Sequence, residues 1–78
     1  MPGNADALDS RGYACQRAGN LEAAIADYTA ALKVDPKDQT SLFGHGGAYA
    51  AEGKRDLAMR DLTAARAINP GIDREIEG

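Results

Sequence analysis

The chain repeats itself once, with a period of 34 residues. The offset between Pro36 and Pro70 carries residues 5–38 onto residues 39–72 without a gap. The matching positions hold small, apolar or turn-forming residues, among them Leu8 with Leu42, Gly12 with Gly46, Gly19 with Gly53, Ala24 with Ala58, and Asp27 with Asp61. A fixed period of this length is typical of stacked-repeat proteins, in which each unit needs a neighbour to bury its apolar face. The repeat therefore favours a binding function over catalysis.

Each repeat contains the pattern of two helices joined by a tight turn. The predicted helices lie near residues 5–18, 21–34, 37–52 and 55–67. Asn4 or Asp6 can cap the first helix, because a short side-chain oxygen accepts the free backbone N–H groups of a first turn. Gly19 and Gly53 follow the first and third helices, where glycine adopts the left-handed conformation at little cost. Residues 73–78 are long enough for only one or two further turns.

Apolar spacing predicts which helix faces are buried. The inward stripe of the second helix comprises Leu21, Ala24, Ile25, Tyr28, Ala31 and Leu32. That of the fourth helix comprises Leu57, Ala58, Met59, Leu62 and Ala65. Asp27 is expected off the stripe, and Asp61 on a solvated face of mixed charge. Gly12 and Gly46 predict close approach to Ala24 and Ala58, whereas this reasoning leaves Gly44 and Gly47 unexplained.

Composition narrows the classes of partner and compartment. The net charge of −3 disfavours nucleic-acid and membrane-surface binding, both of which need a clustered basic face, and makes basic peptides more plausible partners. Cys15 is the only cysteine, so no intrachain disulfide can form, and a cytoplasmic location is the default. No apolar run approaches the ~20 residues of a membrane span.

The residues and their spacing resemble the tetratricopeptide repeat, a 34-residue helix-turn-helix unit. The first repeat carries the pattern in Leu8, Gly12, Gly19, Ala24, Tyr28, Ala31 and Pro36, and the second in Leu42, Gly46, Tyr49, Gly53, Ala58, Ala65 and Pro70. Arg11 and His45 depart from it, at a position that is more often Leu. The resemblance implies an all-α, right-handed superhelical stack within one domain of residues 1–78, made of repeats 5–38 and 39–72 and a C-terminal stub, 73–78.

The resemblance also implies a concave groove, lined by the first helix of each pair, that receives a partner peptide or helix. The groove positions would be Asp6, Asp9, Tyr13, Gln16, Arg17, Thr40, Phe43, Gly47, Ala50 and Ala51. The family's clamp for acidic C-terminal peptides uses Lys and Asn, but the corresponding places here hold Asp9, Tyr13 and Gly44. We therefore set that ligand class aside.

The other reactive side chains have structural explanations. His45 has no catalytic partner that sequence position alone identifies, so we interpret it as a packing histidine. Cys15 is interpreted as a small core residue. Asp6 and Asp9 lie in the first turns of a helix, where carboxylates favour the positive end of the helix dipole, and no further oxygen ligands for a metal are indicated. We expect no enzyme activity, metal or cofactor.

Two functional hypotheses follow. The leading one is a protein–protein interaction module that binds a peptide or helix in its groove. The alternative is a scaffold unit that completes its stack by self-association, because two repeats are fewer than the usual three or more. Phe43 has two possible roles at this stage. It either anchors a partner in the groove or packs against the second helix pair.

The third helix is predicted to open first. Gly44, Gly46 and Gly47 lie within it, and each interior glycine costs about 1 kcal/mol relative to alanine. We expect faster backbone amide exchange in residues 37–52 than in residues 55–67. Slower exchange in the third helix than in the fourth would contradict the prediction.

Overall fold

The computed structural model describes residues 4–71, and these residues are all-helical. The helices are α1 (Ala5–Arg17), α2 (Leu21–Val34), α3 (Gln39–Ala51) and α4 (Arg55–Ile68). α1 packs against α2, α3 packs against α4, and α3 also contacts both α2 and α1. The all-α prediction of two helix-turn-helix units is confirmed. The predicted stub lies outside the described residues.

Within residues 4–71, no helix has both the length and the apolar character needed to cross a bilayer.

The helix ends follow the capping residues. The Asn4 side chain accepts hydrogen bonds from the backbone N–H groups at the start of α1, and Asn20 does the same for α2. Asp38 caps α3, which therefore begins at Gln39, two residues later than expected. Gly19 and Gly53 have φ angles of 85° and 80°, so both repeats turn through the expected left-handed glycine.

The core is thin because alanine fills most of it. Ala24, Ala31, Ala48 and Ala65 are completely buried, which requires the helices to approach closely. The largest buried side chain is that of Tyr28, only 2% exposed. Met59 was predicted to face inward, and this is wrong, because its side chain is 57% exposed.

Tyr28 explains two of the helical glycines. A Cβ atom on Gly12 would lie 3.1 Å from Cδ1 of the Tyr28 ring, and one on Gly44 would lie 2.7 Å from its Cε1 and Oη. Gly44 is thus accounted for, and the neighbour of Gly12 is Tyr28 rather than the predicted Ala24. Gly46 fits its prediction, since its Cβ would be 3.1 Å from the carbonyl oxygen of Ala58. The two pairs of helices meet around one tyrosine ring.

A buried carboxylate recurs with the same period as the repeat. Asp27 accepts two hydrogen bonds from the Arg11 guanidinium, at 2.8 and 3.0 Å. In the second repeat, Nδ1 of His45 lies 2.6 Å from Oδ2 of Asp61. Both aspartates are more than nine-tenths buried, so the prediction that Asp61 lies on a solvated face is wrong, and Asp27 is buried although it was expected off the apolar stripe. Arg11 and His45 occupy the position at which the family more often has Leu. In each repeat, this residue therefore satisfies the hydrogen-bonding needs of a buried aspartate.

Replacing Gly44 with alanine should destabilise the fold even though alanine favours helices. The added methyl group would clash with the buried Tyr28 ring, and such overpacking costs roughly 1–3 kcal/mol, against a gain of about 1 kcal/mol in helix propensity. Gly47→Ala is the matched control in the same helix, because its methyl group would meet only the side-chain amide of Gln16, at 3.1 Å. Urea denaturation should show a lower midpoint for Gly44→Ala than for Gly47→Ala, and the reverse order would contradict the role of Tyr28.

Candidate functional site

α1 and α3 run side by side in the same direction and enclose an open pocket. Near their N-terminal ends, the carboxylate of Asp9 contacts the hydroxyl of Ser41. Nearer their C-terminal ends, the Gln16 side chain lies against Gly47. The pocket between them has a volume of about 590 Å³ and is lined by Asp9, Ser10, Tyr13, Gln16, Arg17, Tyr28, Thr40, Phe43, Gly44 and Gly47.

The predicted groove residues are only partly brought together. Asp9, Tyr13, Gln16, Arg17, Thr40, Phe43 and Gly47 line the pocket. Asp6, Ala50 and Ala51 do not. Ser10, Tyr28 and Gly44 line it without having been predicted. The sequence did contain a signal for Tyr28 and Gly44. Gly12 on the first helix and Gly44 on the third both lack a side chain, and the large Tyr28 ring lies between them.

Tyr28 and Phe43 form the apolar part of the pocket. The Tyr28 hydroxyl donates a hydrogen bond to Oε1 of Gln16 at 3.0 Å. Burial, with a smaller contribution from the charge of Asp9, raises the pKa of Tyr28 to about 12, so the phenol remains a donor across the physiological range. Phe43 is half-buried and packs against the core cluster of Leu42 and Ala65 while also lining the pocket. The two interpretations of Phe43 are therefore compatible.

A strongly acidic cluster adjoins one end of the pocket, which Asp9 lines. Carboxylate oxygens of Asp6, Asp9 and Asp38 lie within 4.8 Å of one another, so Asp38 supplies the third converging oxygen that the sequence did not indicate. The Ser41 hydroxyl hydrogen-bonds to Asp9 and lies 3.2 Å from Oδ2 of Asp38. Within residues 4–71, no lysine or arginine forms a salt bridge with these three carboxylates. We call Asp6, Asp9 and Asp38 the acidic end.

The acidic end alters the titration of Asp9. Burial raises the pKa of Asp9 to about 7, assisted by its hydrogen bond to Asp38 and by the negative charges of Asp38, Asp6 and Asp35. The Ser41 hydroxyl donates to Oδ1 of Asp9, and a proton on Asp9 that hydrogen-bonds to Asp38 lessens the repulsion between the two carboxylates. Near neutral pH, Asp9 thus exchanges between a neutral donor and a charged acceptor.

The opposite end of the pocket carries a cation. The Arg17 guanidinium lies 5.6 Å from the centroid of the Tyr13 ring and donates a hydrogen bond to the Tyr13 hydroxyl at 3.1 Å. Both side chains are exposed, and Tyr13 is 56% exposed. Stacking on the ring holds the guanidinium beside the pocket and leaves most of its donors available.

The polar contacts of His45 and Cys15 assign both residues to packing. Thr29, His45 and Asp61 form a chain of hydroxyl, imidazole and carboxylate, with Thr29 Oγ1 3.0 Å from Nε2 of His45. His45 is 5% exposed, and the chain joins α2, α3 and α4. A carboxylate partner for His45 therefore exists, contrary to expectation, but it serves to join helices. Cys15 is half-buried, with its sulfur 3.9 Å from Asp27.

Comparison with known proteins identifies the repeat. Residues 5–38 match the family model described as Tetratricopeptide repeat. The first repeat belongs to the tetratricopeptide repeat family. It is 38% identical over 60 residues to the human protein named Superkiller complex protein 3. That alignment is longer than residues 5–38, so it extends into the second repeat.

The comparison has a limited span. The alignment covers 77% of this chain but only 4% of the human relative. In general terms, the tetratricopeptide repeat family consists of protein–protein interaction modules, built as non-catalytic helical repeats. The resemblance noted in the sequence is thus confirmed at the level of the family.

The raised pKa of Asp9 should make stability depend on pH. The folded-state pKa of about 7 lies above the ordinary value of 3.8, so the folded chain binds more protons than the unfolded chain between these values. Stability contributed by Asp9 is therefore lost as pH rises through this window. Asp9→Asn removes that loss, and its free energy of unfolding should exceed that of the original chain by roughly 1 kcal/mol or more above pH 7.

Urea denaturation across this pH range measures the difference between the two chains. Asp56→Asn is the control, because Asp56 is exposed and lies on α4, away from the acidic end. It should leave the pH dependence of stability unchanged. A constant offset between Asp9→Asn and the original chain at all pH values would refute the assignment.

Proposed function

We propose that the chain is a protein–protein interaction module that holds a peptide or helix of its partner in the pocket between α1 and α3. The observation that carries the proposal is the pocket itself, which has an apolar floor at Tyr28 and Phe43 and polar groups at both ends. Its volume of about 590 Å³ is in the range of sites that enclose a ligand's side chains. Gly44 and Gly47 also line the pocket, where the Tyr28 ring lies against Gly44 and the Gln16 side-chain amide against Gly47.

The family and the human relative support this proposal. Interaction with other proteins is the general role of tetratricopeptide repeats. The name of the human relative places that protein in a complex. By extension, we propose that this chain also acts within a protein assembly, in the cytoplasm and without chemistry of its own. Self-association remains the alternative, and light scattering over a range of concentrations tests it, because a monomer at every concentration rejects it.

Phe43→Asp should abolish peptide binding while helicity is retained. The substitution places a charge on the apolar floor, beside the carboxylates of the acidic end, and loss of a central anchor typically costs roughly 2 kcal/mol or more of binding free energy. The ligands are peptides selected on the original chain from a phage-displayed random library. Fluorescence anisotropy measures their affinity, and circular dichroism measures helicity.

Met59→Asp provides the matched control for this substitution. Met59 is an exposed apolar residue on α4, away from the pocket. Like Phe43→Asp, Met59→Asp replaces an apolar side chain with a negative charge. Its affinity for the selected peptides should equal that of the original chain. If Phe43→Asp binds the peptides with unaltered affinity, or if the library yields no peptide that competes for this pocket, the proposal is wrong.

A further inference from the structure

The two ends of the pocket carry opposite charges. Asp6, Asp9 and Asp38 lie where α1 and α3 begin, and Arg17 lies in the last turn of α1. The side chains of Asp9 and Arg17 both line the pocket, so the charge difference lies along its length rather than on separate surfaces. Charges arranged in this way select partners by complementarity and exclude those with the opposite arrangement.

Neither end is neutralised by a side chain of the opposite charge within residues 4–71. The salt bridges that the structure describes there join Arg11 to Asp27, His45 to Asp61, Lys54 to Glu52, and Arg60 to Asp61. Arg17 instead stacks on Tyr13, which does not compensate its charge. A partner could therefore place a cation beside the carboxylates of the acidic end, where it would relieve their mutual repulsion. It could also place a carboxylate beside the hydrated guanidinium of Arg17, so that two charge pairs form.

The middle of the pocket is apolar. Phe43, Gly44 and Gly47 form one wall along α3, and the buried ring of Tyr28 lies behind it. A hydroxyl-to-amide hydrogen bond between Tyr28 and Gln16 satisfies the polar groups nearest this floor. The middle thus favours an aliphatic or aromatic side chain over a charged one.

We infer that the partner segment carries a large apolar side chain with a lysine or arginine on one side, which faces Asp6, Asp9 and Asp38, and an aspartate or glutamate on the other, which faces Arg17. This inference rests on the proposed function and adds the chemistry of the ligand. It commits to a peptide segment, and a divalent cation at the acidic end is an alternative outcome of the test.

The experiment uses a double-mutant cycle between chain and peptide. The probe is the tightest-binding peptide from the phage selection, synthesised in its original form and with either its basic or its acidic residue replaced by glutamine. Asp6→Asn combined with Asp38→Asn removes two of the three carboxylates of the acidic end, and asparagine caps α3 as well as aspartate does. The other end is neutralised by Arg17→Gln.

Each end should respond only to its own charge on the peptide. On the original chain, replacing the basic residue should weaken binding about tenfold, and on the Asp6→Asn, Asp38→Asn chain, which retains Asp9, it should weaken binding by a clearly smaller factor. Replacing the acidic residue should weaken binding on the original chain but not on Arg17→Gln. Glu22→Gln combined with Asp56→Asn is the control of equal net charge, because both carboxylates are exposed and outside the pocket.

The pH dependence of binding provides a second readout. Asp9 faces Asp6 on α1, Asp38 and Ser41 at the start of α3, Asp35 in the preceding turn and Tyr28 on α2. With a pKa of about 7, Asp9 becomes fully charged only above neutral pH. Affinity for the original peptide should therefore rise as pH is raised through about 7, and the peptide without its basic residue should lack this rise.

The outcomes separate this inference from the proposed function. Peptides that depend on Phe43 but show no charge preference would overturn the inference and leave the proposed function intact. No peptide that depends on Phe43 would overturn both. Binding of calcium or magnesium at the acidic end that competes with the peptide would also overturn the inference, because the carboxylates would then be metal ligands.

Discussion

The contact between the Tyr28 ring and the backbones of α1 and α3 is the interaction on which the rest of the structure depends. The ring fills the space that Gly12 and Gly44 leave open, so α2 holds the first helices of both repeats at one distance. That distance sets the width of the pocket, and the same ring forms its floor. Stability and the shape of the binding surface are therefore determined by one side chain, whose hydroxyl is fixed in turn by Gln16.

The two repeats agree in their core and differ in their pocket. Asp27 and Asp61 occupy equivalent positions, and each is satisfied by a basic or imidazole side chain at the equivalent place on the preceding helix. By contrast, Asp9 corresponds to Phe43 and Tyr13 corresponds to Gly47. Packing between helices constrains the first set of positions in each unit, whereas the second set faces the pocket and is free to diverge. The divergence produces an acidic end and an apolar middle from one repeated template.

The sequence predicted the elements of the fold better than the surroundings of individual side chains. Periodicity and turn residues identified four helices with ends within two residues of those observed, because capping and glycine turns are local effects. The burial of Asp27 and Asp61 was missed, because sequence patterns place a charged residue at the surface unless its partner on another helix is known. Met59 was misassigned because spacing of three and four fits more than one rotation of a helix.

The acidic end could not be predicted either, because its residues come from different helices. Asp6 and Asp9 lie on α1, whereas Asp38 is 29 residues beyond Asp9 and reaches the cluster only because α3 lies parallel to α1. As a cap, Asp38 had a sufficient local explanation, and nothing in the pattern indicated a second role. Which side chains of α1 and α3 meet in the pocket depends on the angle and offset between these helices. The repeat period does not determine that angle or offset.

The composition of the acidic end is better explained by binding than by stability. Asparagine at position 38 would cap α3 equally well, and asparagine at position 9 could donate to Asp38 without a charge. Burial, together with the smaller effect of the neighbouring carboxylates, raises the pKa of Asp9 instead, and the folded chain becomes less stable as Asp9 ionises. Residues that lower stability where neutral substitutes fit are characteristic of functional surfaces. A cationic side chain from a partner would remove the repulsion, so the same groups that destabilise the free chain would stabilise the complex.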